Sequence, residues 1–298
     1  MRGGEARMFV RVLGSAAGGG SPQWNCGCRV CTDVRAGAAP PRTQSSIVVS
    51  PDRKRWFLFN ASPDVLSQFA AFPELWPRGS RESPVEAVFL TDAELDHTLG
   101  LLLLREAPAL RLYATATVHK TLSDGSGVLT LLQRYCQVEW TPVVTGAPLV
   151  LSEGLTGRAF EVKTSKRDRF GVGGAAGRVV GYRISDARTG GTLVYLPGVQ
   201  HFTPEVRAAI AGCTCLLVDG TCWSDDELVR LGLAAKTSRQ MGHSPVEESL
   251  QHLAGAGRRT IFVHLNNTNP ILLEGTPQRL AVERAGAEVA VDGLEVEV

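Results

Sequence analysis

Between Asp92 and His97 the chain places Asp92, Glu94, Asp96 and His97 within six residues, with apolar sequence on both sides. Charge held between apolar flanks is costly unless something compensates it, and a bound cation would do so. In an extended turn, positions i and i+2 point the same way, so Asp92, Glu94 and Asp96 would converge with His97 beside them. Three oxygens and one nitrogen suit Fe(II) or Mn better than a structural zinc. The alternative is an acidic loop that caps the following helix, because Asp and Glu favour helix starts.

A second cluster is Cys26-x-Cys28-x-x-Cys31. Three thiolates in one loop can hold zinc if a fourth ligand arrives from elsewhere, and such a closed site would pin a loop that has little apolar content of its own. Three buried free thiols are the other reading. The seven cysteines are an odd number, and these three are too close together for an ordinary disulfide framework, so a reducing, cytoplasmic setting is expected.

These residues need elements to position them. Val88 and Phe89 belong to a buried strand, and Leu99 to Arg105 opens a helical pattern, so the acidic turn lies at a strand's carboxyl end, where open α/β sheets place their chemistry. Upstream, Met8 to Leu13 reads as a strand and Gly14 to Gly20 as a tight glycine turn, while Met1 to Arg7 has no pattern and is expected to be an extension ahead of one domain spanning 8–298. Ser45 to Ser50 and Arg55 to Asn60 form a hairpin, and Asn60, Ser62 and Asp64 then precede a helix that Ser62 would cap with Pro63 at its first position. Leu112 to Ala114 is strand-like, and Thr115 to Ser123 and Val128 to Tyr135 are helical; His119 falls there as a packing or surface residue.

From Pro148 the pattern turns to strands at Leu149 to Leu151, Ala159 to Lys163, Val179 to Ser185 and Thr192 to Leu196. A glycine-rich loop at Gly171 to Gly177 is a candidate lid. The buried run Cys215 to Val218 delivers Asp219 and Thr221 to a strand end, His243 precedes a helix with Ser244 as its cap, and Thr260 to His264 is a buried strand ending in polar residues.

The segment from Asp92 to His97 resembles the His-x-His-x-Asp-His signature of the metallo-β-lactamase superfamily, with Asp92 and Glu94 in place of two histidines. More closely, Leu13-Gly-Ser-Ala-Ala-Gly-Gly-Gly20, Pro22-Gln-Trp-Asn-Cys26, Arg42-Thr-Gln-Ser-Ser46, Asn60-Ala-Ser-Pro-Asp64 and His264-Leu-Asn-Asn-Thr-Asn-Pro-Ile271 resemble the pyrroloquinoline quinone biosynthesis protein B family. The resemblance implies a four-layer αββα sandwich. It implies iron bound by Asp92, Glu94, Asp96, His97 and His264, with Asp219 and His243 positioning substrate or moving protons. It also implies zinc on Cys26, Cys28 and Cys31, with His264 or Asn267 as the fourth ligand. Lys166 stands where relatives carry a further histidine and would pair with a substrate carboxylate or an acidic ligand. Tyr195-Leu-Pro-Gly198 lacks the aspartate that bridges two metals in relatives, which argues against a two-zinc phosphodiesterase.

The function so implied is an Fe(II)- and O2-dependent hydroxylation of the tyrosine in a Glu-Tyr-derived peptide, giving a catechol. The other is a non-catalytic carrier of the finished quinone cofactor or an intermediate. Physical bounds agree with a small-molecule partner. A net charge of +1, from 31 basic and 30 acidic residues, offers no field for nucleic acid, and no apolar run approaches the roughly 20 residues of a membrane span. Oligomeric state stays open, a homodimer among the options.

Overall fold

The computed structural model describes residues 7–172 and 176–298, so most of the N-terminal extension and the centre of the proposed lid loop lie outside the described residues. Six strands follow one another in the first half: β1 (Phe9–Gly14), β2 (Ser46–Ser50), β3 (Trp56–Phe59), β4 (Val85–Phe89), β5 (Ala109–Ala114) and β6 (Gln137–Pro142). The second half adds β7 (Pro148–Ser152), β8 (Leu155–Glu161), β9 (Val180–Asp186), β10 (Thr192–Leu196), β11 (Cys213–Asp219), β12 (Gly257–Val263), β13 (Ala287–Val289) and β14 (Glu295–Glu297). They form two seven-stranded sheets, ordered β14-β1-β2-β3-β4-β5-β6 and β13-β12-β11-β10-β9-β8-β7. Each sheet is mixed. β3 to β6 are mutually parallel, as are β10 to β13, and the remaining neighbours are antiparallel.

Period-two alternation decides which side of each sheet is apolar against which partner. Val10, Val12, Ile47, Val49, Phe57 and Phe59 point between the sheets and meet Tyr182, Ile184, Tyr195, Leu217 and Ile261 from the other sheet. The opposite residues of the same strands face helices. Val48, Leu58 and Val88 pack on Val65, Leu101 and Leu129, while Val194, Leu216 and Val218 pack on Val206, Val246 and Val282. Burying each such side chain stabilises the fold by about 1.5–3 kcal/mol before conformational entropy is subtracted. The result is the four-layer αββα sandwich expected from the sequence.

The hairpin of β2 and β3 forms as expected, its turn held by Ser50 Oγ and Asp52 Oδ1 accepting backbone N–H groups. Several local expectations are corrected. The regular helix after Asn60 is Val65–Ala70 with Asp64 at its N-cap, and Ser62 caps the turn through Pro63 that leads into it, its Oγ accepting the Asp64 N–H and its carbonyl the Val65 N–H. The helix after His243 is Val246–Leu253 with Pro245 at its N-cap, and the Ser244 N–H goes to Val199 O. β6 was not anticipated from the sequence; it is an exposed edge strand ending in Pro142, and of its alternating apolar residues Val138 packs on the core while Trp140 covers His119 at the surface. His119 is a packing residue, stacked on Trp140 with centroids 3.9 Å apart. Among the described residues no helix is long and apolar enough to cross a membrane.

Candidate metal centre

The carboxyl ends of β3, β4, β11 and β12 face one another at one end of the sandwich and supply the polar groups of a single site. After β3 the chain turns through Asn60, held in the left-handed region at φ 62°. Its side chain clamps the residue after β4's exit: Thr91 N donates to Asn60 Oδ1 at 3.0 Å and Asn60 Nδ2 donates to Thr91 Oγ1 at 2.9 Å. Thr91 Oγ1 lies 2.8 Å from Asp92 Oδ2, and Asp92 presents both carboxylate oxygens to His97 Nδ1 at 2.9 and 2.8 Å. This run of contacts holds the His97 ring from behind. Its front nitrogen, Nε2, is buried with no hydrogen-bond partner and lies 3.8 Å from Asp96 Oδ2.

From the other sheet, β12 ends in His264, which also adopts the left-handed region at φ 56°. Such backbone in a non-glycine residue costs of order 1 kcal/mol or more and persists where neighbours over-determine it. Here Leu265 exchanges backbone bonds with Ser15 and Ala17 at 2.9 and 2.8 Å. The conformation sets His264 Nε2 3.1 Å from Asp96 Oδ2, so Asp96 stands between imidazoles from both halves. Behind His264 lie Thr221, whose Oγ1 is 2.9 Å from His264 Nδ1, and Asp219, whose Oδ2 is 2.7 Å from His243 Nδ1.

Electrostatics follow the geometry. Burial disfavours a charged His97, but the Asp92 and Asp96 carboxylates outweigh it and push the imidazole up to about 9. Burial, with His97 and His243 nearby, lowers His264. Burial opposes charge on Asp92, Asp96 and Asp219 too, yet the adjacent imidazoles hold all three below the ordinary carboxylate range.

A cation fits this arrangement. The donor atoms of Asp96, His97 and His264 lie within 4.8 Å of one another, and the orphaned His97 Nε2 faces the carboxylate they share. Two imidazoles and one carboxylate with open positions are a donor set suited to a divalent transition metal, Fe(II) and catalytic zinc among them. Asp219, His243 and His264 form a second close group, but their facing nitrogens already have oxygen partners in Asp219 and Thr221, which makes that group a support.

The convergence expected of Asp92 and Glu94 is corrected. Asp92 Oδ1 accepts the Glu94 N–H, and a helix begins at Leu95, so the extended geometry on which an i, i+2 alignment depends is lost. Asp92 sits behind His97. Glu94 turns to the second half and pairs with Lys166 at 2.8 Å and Arg169 at 3.6 Å. Lys166 thus meets an acidic side chain that is not a ligand to the ion, so neither of its expected roles is decided by this pair. Asn60 supports the site through Thr91, whereas Asp64 accepts from Gln44 and Ser62 donates to Gln68. Thr221 had no role assigned from the sequence; its position two residues after Asp219 at a strand end was the available signal.

The three cysteines come together with their sulfur atoms within 4.8 Å of one another. Cys28 caps the helix Arg29–Arg35 by accepting the Cys31 N–H. Burial pushes the Cys28 thiol up to about 12, a cost that a zinc ion would reverse by holding the thiolate. Of the two residues expected as a fourth ligand, Asn267 is the neighbour: its Nδ2 is 3.2 Å from Cys31 Sγ and its carbonyl oxygen 3.7 Å from Cys28 and Cys31. His264 is excluded because both its nitrogens face the other centre.

A cleft of about 930 Å³ opens onto Asp96, His97, His243 and His264. Its walls carry Lys166, Arg167, Arg169, Arg178 and Lys236, together with the apolar side chains of Leu95, Val118 and Phe170. Tyr195 is absent from the cleft; it lies buried between the sheets with its hydroxyl 3.2 Å from Ser45 Oγ.

Residues 55–265 match the β-lactamase superfamily domain. The coenzyme PQQ synthesis protein B of Azoarcus sp. is 44% identical over 96% of this chain and 99% of its own length, and that of Ruegeria pomeroyi 41% identical over 97% and 99%. The crystal structure of Zn(2+)-bound PqqB from Methylobacterium extorquens superposes with a TM-score of 0.88 at 40% identity, covering 97% of this chain and all of that one. A diphosphatase of the PhnP family, at 21% identity and a TM-score of 0.72, shares the fold. The chain therefore belongs to the PQQ synthesis protein B family of the β-lactamase superfamily.

Proposed function

We propose that this protein hydroxylates the tyrosine ring of a short Glu-Tyr-derived peptide during assembly of pyrroloquinoline quinone, using Fe(II) and O2. The observation that carries the reading is the group of two imidazoles and one carboxylate, with the His97 Nε2 unpartnered, at the wall of a cleft large enough for a dipeptide. Asp96, His97 and His264 would hold the iron. When bound, the ion supplies the activation of dioxygen toward the ring.

The remaining residues bind and orient. A Glu-Tyr dipeptide carries two carboxylates, on the Glu side chain and at the C-terminus, and Lys166, Arg169, Arg178 and Lys236 supply cations along the cleft. Lys166 would exchange Glu94 for a substrate carboxylate. Leu95, Val118 and Phe170 would cover the ring and exclude water from it. His243, braced by Asp219, would take the proton that the ring or the phenol gives up. The balance is one oxygen atom into the ring and the other into water, with two electrons and two protons from an added reductant.

A carrier of the finished quinone is not favoured, since storage alone makes no use of a buried imidazole nitrogen aimed at a carboxylate. The test is to load the protein with Fe(II) without oxygen, then add O2, reductant and the Glu-Tyr dipeptide. A product heavier by one oxygen atom, labelled from 18O2, is expected. Unchanged dipeptide with iron verified at the centre overturns the reading, and tight quinone binding without turnover would put the carrier in its place.

A further inference from the structure

We propose that Thr221 is a positioning residue whose single hydroxyl sets two histidines at once, leaving His264 with a lone pair for the metal ion and His243 with a lone pair for a proton. A threonine hydroxyl has one hydrogen to donate and two lone pairs to accept with. Around Thr221 Oγ1 lie Asp219 Oδ1 at 2.6 Å, His264 Nδ1 at 2.9 Å and His243 Nδ1 at 3.0 Å. An ionised carboxylate only accepts, and Asp219 Oδ1 at 2.6 Å lies nearer than the other acceptor, the His264 carbonyl oxygen at 3.2 Å, so the hydroxyl hydrogen goes to Asp219. Both lone pairs then face imidazole nitrogens, and both are used only if each ring carries its hydrogen on Nδ1.

His264 Nε2 faces Asp96 Oδ2 at 3.1 Å, so this arrangement belongs to the metal-bound state, in which the ion and not a hydrogen stands between those two atoms. Asp219 is fully buried and its two oxygens are fixed by the backbone N–H groups of Val199 and Thr221 at 2.9 and 3.0 Å. Its Oδ2 also lies 2.7 Å from His243 Nδ1, so a hydrogen there is shared between carboxylate and hydroxyl. Were either ring in the other form, an imidazole lone pair would face oxygen lone pairs in a buried site. Thr221 is itself immobilised, its carbonyl accepting the Asn266 N–H at 2.9 Å. The Nε2 atoms of both rings are thereby left to the cleft side. Partners of this kind behind a metal-bound histidine typically change metal affinity 10–100-fold when removed.

The inference rests on the metal centre of the preceding section and not on the reaction proposed there. Thr221→Val keeps the shape and removes the hydroxyl; Thr221→Ser keeps the hydroxyl. Mn(II) alone, a hard ion with little affinity for thiolates, is titrated into the full chain and followed by the EPR signal of the free ion. The valine variant should bind about 10–100-fold more weakly and the serine variant within a few-fold of the unaltered protein. In zinc-loaded protein, proton NMR should show slowly exchanging Nδ1–H signals for both His243 and His264, and Thr221→Val should move both. A folded valine variant with unchanged affinity, a signal that stays put in it, or a serine variant as weak as the valine one overturns the proposal. If the valine variant does not fold, the unaltered protein decides: absence of either Nδ1–H signal overturns it. These measurements involve no dipeptide, so a failure of the hydroxylation reading would leave them standing.

Discussion

Each half of the sandwich brings one buried aspartate up behind a histidine, and the two do so differently. Asp92 presents both oxygens directly to one histidine, His97, while also accepting from Thr91 and the Glu94 N–H, whereas Asp219 braces His243 directly and reaches His264 only through the Thr221 hydroxyl. A carboxylate in direct contact raises the basicity of its imidazole, and His97 is accordingly pushed up to about 9. An interposed hydroxyl gives geometry without the charge, and His264 is lowered by its burial. The same kind of ligand is therefore delivered in two electrostatic states. His97 binds a cation strongly but must first lose a proton, while His264 is neutral from the start and binds according to how well it is aimed.

This difference should appear first in the pH dependence. With metal absent, His97 holds a proton up to about pH 9, well above its ordinary value of 6.5. Each ion bound must displace it, so Mn(II) affinity should rise about tenfold per pH unit from about pH 6.5 to 8.5, equivalent to about 1.4 kcal/mol per unit. Stability of the metal-free protein should run the other way. A group whose folded value is raised stabilises fully below its unfolded value and loses that contribution as pH rises through the folded one. The melting temperature should therefore be highest below pH 6.5 and decline toward pH 9. An affinity that is flat over this range would erase the contrast between the two halves.

Asp92→Asn keeps the shape behind His97 and removes the charge. Metal affinity at pH 8 should fall about 10–100-fold, and the slope with pH should flatten because His97 no longer holds its proton so tightly. Asp219→Asn should weaken binding less and leave the slope intact, since its link to His264 passes through a neutral hydroxyl. Equal losses with equal slopes in the two variants would show that the halves do the same work.

How much of this could be read from the chain depends on what backbone period the residues keep. The strands were legible where apolar runs such as Val88 to Leu90, Leu216 to Val218 and Ile261 to Val263 end abruptly in polar residues, and those ends are where Asp96, His97, Asp219 and His264 gather. β6 escaped because its alternation, Val138 and Trp140 ahead of Pro142, is short and lies at an exposed edge, where it is not set apart from a loop. Glu94 was misplaced because the helical backbone starts at Leu95, four residues ahead of the apolar pattern that opens at Leu99, and that turns its side chain from the ion to the opposite wall. The role of Thr221 was hidden for another reason. Its three side-chain partners come from Asp219 nearby and from His243 and His264, 22 and 43 residues farther on; the parallel packing of β11 against β12 brings in His264, and the turn anchored by the Ser244 N–H on Val199 O brings in His243.

The smallest effect tests the correction at Glu94. The pair with Lys166 links the two halves at the edge of the cleft, but it is about one-third exposed on the Glu94 side, and ion pairs of that kind are worth roughly 0–1 kcal/mol. Glu94→Gln should change the melting temperature by no more than a few degrees and leave Mn(II) affinity unchanged, because no donor to the ion is lost. It should instead improve the binding of anionic ligands to the cleft by freeing Lys166 and Arg169, an effect readable as a lower dissociation constant for the Glu-Tyr dipeptide that shrinks as salt is added. A large loss of metal binding in this variant would return Glu94 to the ion and would mean that the first half supplies two carboxylates to the centre, which would make the inequality between the halves greater than the ion pair implies.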